Sequence, residues 1–341
     1  MTANFLYQLD KQFPNSWVLT LCASKFELGT INQISDVLAN IHPALRVLYQ
    51  STLVNELDWH ANASLAQCEQ VSAVTTLQWV VEGLGCEGLP PLLPQVKAAF
   101  AATNLNNIDV NAMPLATLLR PHKLALFDMD STLIEQEVIV ELAKKAGIGE
   151  QVDTITESAM RGEIDFVESF TRRVALLKGL SSEALEDIVN HHITFSVGAK
   201  RLVSALKANG YHVVLVSGGF NYFAEHVKNT LGIDEVYAND LDIIDGKVTG
   251  KVTSPIVDGQ RKADILQSVA SRLGIGLNQT VAVGDGANDL PMLSTAGLGI
   301  AFHAKPKVVA NAKQSINTIG LDGVLYFLGF KDSYLEERGK L

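Results

Sequence analysis

Two aspartates stand one residue apart in KLALFDMDSTLIEQE, the stretch from Lys123 to Glu137. The run before them, Leu124 to Phe127, is short and wholly apolar, the pattern of a buried strand. Residues i and i+2 of a strand share a face, so Asp128 and Asp130 emerge together at its carboxyl end. Their repulsion calls for a counter-charge. A divalent cation supplies one: magnesium takes one or two protein carboxylates and fills its octahedron with water and substrate phosphate. The plain alternative is a turn, since Asp followed by Ser and Thr is also ordinary N-cap material.

Three further segments favour chemistry. YHVVLVSGGF is a β-branched strand, Val213 to Val216, that ends in Ser217, Gly218 and Gly219, a loop composition whose hydroxyl and backbone N–H groups suit a phosphate oxygen. TVAVGDGANDLPML breaks from an apolar strand, Thr280 to Val283, into Gly284, Asp285, Gly286, Asn288 and Asp289, so acids again leave a strand end where glycines allow a tight turn. Lys262, in GQRKADIL, opens a helical pattern through Ala263, Leu266, Val269 and Ala270, where a lone lysine is ordinarily solvated. Each segment alone is weak. Together they fit one parallel sheet whose carboxyl edge gathers them, the edge where open α/β sheets bind ligands.

The chain has 341 residues, 47% of them hydrophobic, enough for two packed domains. In the first, strands are expected at Trp17 to Ala23, Ala44 to Gln50, Thr75 to Glu82 and near Ile108 to Ala112. Ile31, Ile34, Val37 and Leu38 repeat at helical spacing, and Pro90 to Ala102 gives a second helix with proline in its first turn. The resulting α+β order resembles the ferredoxin-like plan of ACT domains. No motif in this half carries chemistry, and a packing or dimerising module, a contact for a homodimer, is the reading it supports. The prolines of NAMPLATLLRPHK mark a linker, which places the domains at 1–112 and 113–341.

A net charge of -10 without Lys or Arg clusters speaks against nucleic acid as a partner. Cys22, Cys68 and Cys86 form no CxxC pair and fit a reducing compartment. The opening residues lack a secretory pattern, and no apolar run approaches a membrane span, so a cytoplasmic protein without membrane association is expected.

In order along the chain, DxDxT at Asp128 to Thr132, Ser217 with its glycines, Lys262, and GDGxND at Gly284 to Asp289 resemble the haloacid dehalogenase (HAD) superfamily, and within it the phosphoserine phosphatases. The resemblance covers roughly residues 120 to 330. It implies a HAD-like Rossmannoid parallel sheet of the α/β class with a helical cap inserted after the first strand, at about 137–203. It further implies magnesium-dependent hydrolysis of O-phospho-L-serine, the last step of serine biosynthesis, through an aspartyl-phosphate. Asp128 would be the nucleophile and Asp130 the general acid, then base. Ser217 and Lys262 would bind the transferring phosphoryl oxygens. The resemblance gives magnesium to Asp128, Asp285 and the main-chain carbonyl of Asp130, with Asp289 orienting its water ligands.

The substrate is read from the cap and its approaches. MRGEIDFVESFTRRVALLKGL carries Phe166, Arg172 and Arg173, and the resemblance gives the substrate carboxylate to Arg173, where a guanidinium fork binds bidentately. Arg172 follows Glu168 by four residues, the spacing of a helical surface pair. Glu137 matches the acid that meets the substrate ammonium. Gly218 and Asn288 fall to the substrate or phosphate, and Met160 and Phe166 to the pocket wall. LDIIDGKVTGKV reads as a type I′ hairpin turning at Asp245-Gly246, and His191, His192 and His303 receive no role. Two rivals remain: a related cap that accepts another phosphorylated amino acid or hands the phosphoryl group to a second alcohol, and an amino-acid sensor whose enzyme half is vestigial.

Overall fold

The computed structural model describes residues 3–26, 28–41, 46–52, 58–60, 74–82, 93–103, 105, 107–253 and 255–330. They form two compact units, one of residues 1–121 together with the segment from Gln314 onward, the other of residues 122–313.

The first unit is built on five antiparallel strands, β1 (Trp17–Phe26), β2 (Arg46–Thr52), β3 (Asp58–His60), β4 (Val74–Glu82) and β5 (Asp109–Pro114), in the order β3-β2-β4-β1-β5. Helices Leu28–Ile41 and Leu93–Ala102 follow β1 and β4, and bury Ile31, Ile34, Leu38, Val96 and Phe100 against Leu19, Leu21 and Trp79. This is the ferredoxin-like plan, extended by the three-residue β3 and by an opening helix, Ala3–Gln12. The expected boundary shifts. The domain split expected after residue 112 falls instead after Pro121, and the segment from Gln314 belongs to the first unit rather than the second. Buried polar groups explain this. The Asp109 carboxylate accepts from the main-chain N–H groups of Asn317 (2.6 Å) and Thr318 (2.9 Å), while the Asn111 and Gln314 side chains bond the backbones of Ser315 and Ala112. Cys22 lies in this core; Cys68 and Cys86 fall outside the described residues.

In the second unit, β6 (Leu124–Phe127), β7 (His212–Phe220) and β8 (Glu235–Asn239) are followed by a hairpin, β9 (Leu241–Ile244) and β10 (Lys247–Val252), and then by β11 (Thr280–Gly284) and β12 (Leu298–Phe302). The parallel sheet runs β12-β11-β6-β7-β8. All four residues of β6 are fully buried, as a central parallel strand covered on both faces requires. Phe127 is in register with Val283 of β11 and Leu215 of β7, so Asp128, Gly284 and Val216 follow at one level. That level is where the motifs begin.

The cap enters and leaves through a narrow neck, where Ile134 bridges Phe195, Glu135 N–H donates to the Thr194 carbonyl (2.9 Å) and Ser196 N–H to that of Leu133 (3.0 Å). Four helices lie beyond it: Val138–Ala146, Gly149–Met160, Phe166–Leu176 and Ser182–His191. Helix Ala199–Ala208, whose start the expected cap included, comes after the neck and packs on β7. Asp165 caps the third cap helix by accepting from Glu168 N–H at 2.8 Å, and Ser181 caps the fourth. The hairpin turns as expected, with Asp245 and Gly246 both at positive φ (50° and 72°), the mark of a type I′ turn. Among the described residues no helix is long and apolar enough to cross a membrane.

Candidate active site

The chain leaves β6 directly into the site. Asp128 Oδ1 accepts from Met129 N–H at 2.8 Å and receives the Lys262 ammonium at 2.8 Å. Oδ2 carries no protein hydrogen bond among the described residues. Lys262 is fully buried at the start of helix Gly259–Arg272 and also reaches Asp289 Oδ1 at 2.7 Å. It is no solvated surface lysine. Burial opposes its charge, yet Asp128 and Asp289 outweigh that and hold its pKa above the ordinary lysine value.

Glycines fix the third strand end. A Cβ on Gly284 would lie 2.4 Å from the Asp289 carboxylate, so only glycine lets that side chain fold back beneath the strand. Gly286 N–H then donates to Asp289 Oδ2 at 2.9 Å. Asp128, Asp285 and Asp289 bring carboxylate oxygens within 4.8 Å of one another. Three carboxylates face one ammonium, which leaves two negative charges in a buried place. Burial, then the charges of Asp289 and Glu137, push Asp285 up to about 7. Burial, Asp289 and Asp285 likewise raise Asp128 against the opposing pull of Lys262. An all-oxygen donor set with this deficit fits a hard divalent cation.

Asp130 is raised well above the ordinary carboxylate range, first by burial and then by the Glu137 charge, while a hydrogen bond from Val138 N–H works the other way. Ser217 is buried on β7, three residues before that strand's last, and its hydroxyl accepts from Gly219 N–H at 2.8 Å.

These residues floor a cavity of about 110 Å³ lined by Asp128, Asp130, Asp285, Gly218, Gly219 and Asn288, with Glu137, Phe166 and Arg173 on the approach to the cap. Ser217, Lys262 and Asp289 do not line it; they are buried beside the lining residues. The side chain of Met160 lies outside the described residues. Arg172 makes the surface pair with Glu168, both exposed. Arg173 is partly buried, and its Nε donates to the Ser169 carbonyl at 3.4 Å. No carboxylate pairs with its fork among the described residues, and burial lowers its pKa while Glu137 and Asp130 oppose that fall.

Three lining residues, Ile139, Phe170 and Phe220, stand outside every motif of the sequence. Phe170 stacks on Phe166 at 6.1 Å between ring centroids and meets Phe220 at 5.7 Å. The i, i+4 spacing of Phe166 and Phe170 was the available clue.

Strand-end acids, a buried lysine and a cap over a parallel sheet define a hydrolase of the haloacid dehalogenase type, and the sequence model of that family, "haloacid dehalogenase-like hydrolase", matches residues 125–294. A probable phosphoserine phosphatase of Schizosaccharomyces pombe is 52% identical over 228 residues, 66% of this chain and 76% of that protein. A solved phospho-aspartyl intermediate analogue of phosphoserine phosphatase is 43% identical, with a TM-score of 0.58, covering 61% of this chain and all (100%) of that one. The unliganded probable phosphoserine phosphatase of Vibrio cholerae is 29% identical and covers 99% of this chain and 95% of its own, with a TM-score of 0.67. The chain belongs to the phosphoserine phosphatase family of HAD hydrolases.

Proposed function

We propose that this enzyme hydrolyses O-phospho-L-serine to L-serine and phosphate, with magnesium as its ion, as a cytoplasmic enzyme closing serine biosynthesis. One observation carries the reading. The cavity joins a phosphoryl-handling floor, Asp128 beside buried Lys262, to an approach bearing a guanidinium without a carboxylate partner among the described residues, Arg173, and a carboxylate, Glu137. That is the charge pattern complementary to an amino acid with a phosphate on its side chain.

Asp128 Oδ2 attacks phosphorus, the bond from phosphorus to the seryl oxygen breaks, and the Asp130 proton passes to that oxygen. Lys262 and Ser217 neutralise and orient the non-bridging oxygens. Asp130, now ionised, takes a proton from water as it attacks the aspartyl-phosphate, which frees phosphate and restores Asp128. Asp128, Asp285 and the main-chain carbonyl of Asp130 would hold magnesium, with Asp289 orienting its waters; when bound, the ion supplies positive charge for the phosphoryl group. Phe166, Phe170 and Phe220 limit water around the reacting atoms. Asn288 and Gly218 border the substrate, and a Cβ on Gly218 would come 2.9 Å from the Phe166 ring.

Pairing of two copies through the first unit belongs to the same proposal, supported by its edge strand β3, which among the described residues pairs on one side only. A panel of phosphoserine, phosphothreonine and sugar phosphates, with and without chelator, tests the activity. Phosphoserine turnover lost with chelator is the expected result; equal turnover across the panel would defeat the substrate assignment. Sedimentation tests the dimer.

A further inference from the structure

The hairpin β9–β10 follows β8 and lies outside the parallel sheet, yet it is tied at both ends to parts of the active site. At its base stands Asn239, fully buried. Its Nδ2 donates to the carbonyls of Gly218 (2.8 Å) and Gly219 (3.1 Å), and its Oδ1 accepts from Val257 N–H (2.9 Å). One side chain thus joins the root of the hairpin to the last residues of β7 and to the approach to the Lys262 helix.

The other end is tied to the cap. Gly179 N–H donates to the Val248 carbonyl (2.8 Å), Val248 N–H to the Leu180 carbonyl (2.9 Å) and Ser182 N–H to the Gly246 carbonyl (2.8 Å). The cap loop 179–182 therefore lies along β10 as a third strand would. A register shift between Val248 and Val252 marks a bulge, and Gly250 within it has φ 83°. A Cβ there would stand 3.0 Å from the Ala175 carbonyl oxygen and 3.1 Å from Lys178 Cβ. Ala175 is two residues beyond Arg173 on the same helix.

We propose that the hairpin is a strut that sets the separation between the phosphoryl floor and Arg173, with Gly250 as a positioning residue for the substrate carboxylate. The proposal rests on the phosphoserine reading. A side chain at 250 pushes on Ala175 and displaces the last turn of that helix, which carries Arg173. It touches no reacting atom, so only substrates read through their carboxylate should be affected.

The test compares Gly250→Ala with Gly274→Ala. Both put a side chain on a glycine at positive φ, but a Cβ at Gly274 (φ 67°) meets nothing within 4 Å, so that variant carries the backbone strain alone. Both should melt at lower temperature than the native chain. Gly250→Ala alone should raise KM for phosphoserine five-fold or more while kcat/KM for p-nitrophenyl phosphate stays within two-fold. Ser182→Pro serves as a second variant: proline is tolerated at the first helical position, and the change removes the N–H that bonds Gly246. It should raise KM in the same selective way, and it decides the matter where Gly250→Ala does not fold. Unchanged KM, or equal losses on both substrates, would overturn the strut. Absence of phosphoserine turnover by the native enzyme would instead overturn the substrate reading.

Discussion

The Lys262 ammonium stands 2.8 Å from the Asp128 carboxylate, with Lys262 fully buried and Asp128 nearly so. A charge taken from water to this extent is tolerable only when paired, and breaking such a pair by removing one partner costs about 3–5 kcal/mol. Lys262→Ala leaves Asp128 and Asp289 without their protein cation. It is expected to lower unfolding free energy by about that amount and to depress turnover of phosphoserine and p-nitrophenyl phosphate alike. Chemical denaturation with parallel kinetics checks both. Loss confined to phosphoserine would move Lys262 from the phosphoryl group to the amino-acid end.

Arg172 and Arg173 adjoin in sequence and differ in surroundings. Arg172 is exposed and paired with Glu168, an arrangement that contributes little. Arg173 faces the cavity without a carboxylate partner on its fork among the described residues. Arg173→Ala should reduce kcat/KM for phosphoserine roughly 10- to 150-fold, the loss of a charged hydrogen bond of about 1.5–3 kcal/mol, and leave p-nitrophenyl phosphate nearly unchanged. Arg172→Ala should change neither. Equal losses on both substrates in Arg173→Ala would make that residue structural.

The gathering of these groups at one sheet edge was legible in the sequence because each acid or hydroxyl follows a short apolar run that reads as a buried strand, and a parallel sheet brings such ends to one side. Asp128, Ser217 and Asp285 needed no more than that. Lys262 lay outside this logic: its helical pattern suggested a solvated face, and its burial depends on two carboxylates from other strand ends. Phe170, Phe220 and Ile139 reach the cavity through packing between cap and sheet, which no local period encodes. The assignment of Gln314 onward to the first unit depends on Asp109 and Asn111 finding partners about two hundred residues away, a contact invisible to any window of sequence.

Metal should act on stability as well as on rate. Asp285, pushed up to about 7 by burial and neighbouring acids, is a strained carboxylate when no cation is bound. Magnesium at a hundred times its dissociation constant should raise unfolding free energy by about 2.7 kcal/mol, and chelator should remove the gain. Asp285→Asn should melt higher than the native chain in chelator, because a buried charge is gone, and should respond little to magnesium. Thermal melts with and without the ion read both effects; a native-like magnesium response in the variant would take Asp285 out of the ion site.

Acid should reveal a charge network far from the catalytic floor. Glu235 on β8 takes both oxygens to Arg272 at 2.6 Å and also accepts from the Tyr237 hydroxyl at 2.8 Å, with His212 Nε2 at 2.5 Å. Burial alone would raise its pKa, but these donors outweigh it and bring the group down from 4.5 to about 2. The native state therefore binds this proton less readily than the unfolded chain. The stabilisation is complete above about pH 4.5 and is lost as pH falls through about 2. Glu235→Gln should lie below the native chain in stability by a constant gap from pH 7 to about 4.5, and the gap should close toward pH 2. Because Arg272 is more than half exposed (55%), 1 M salt should narrow the gap at neutral pH as well. Denaturation series at pH 7, 4.5 and 3 read the trend directly; a gap that stayed constant down to pH 3 at both salt concentrations would mean that shape, rather than charge, holds Glu235 in place.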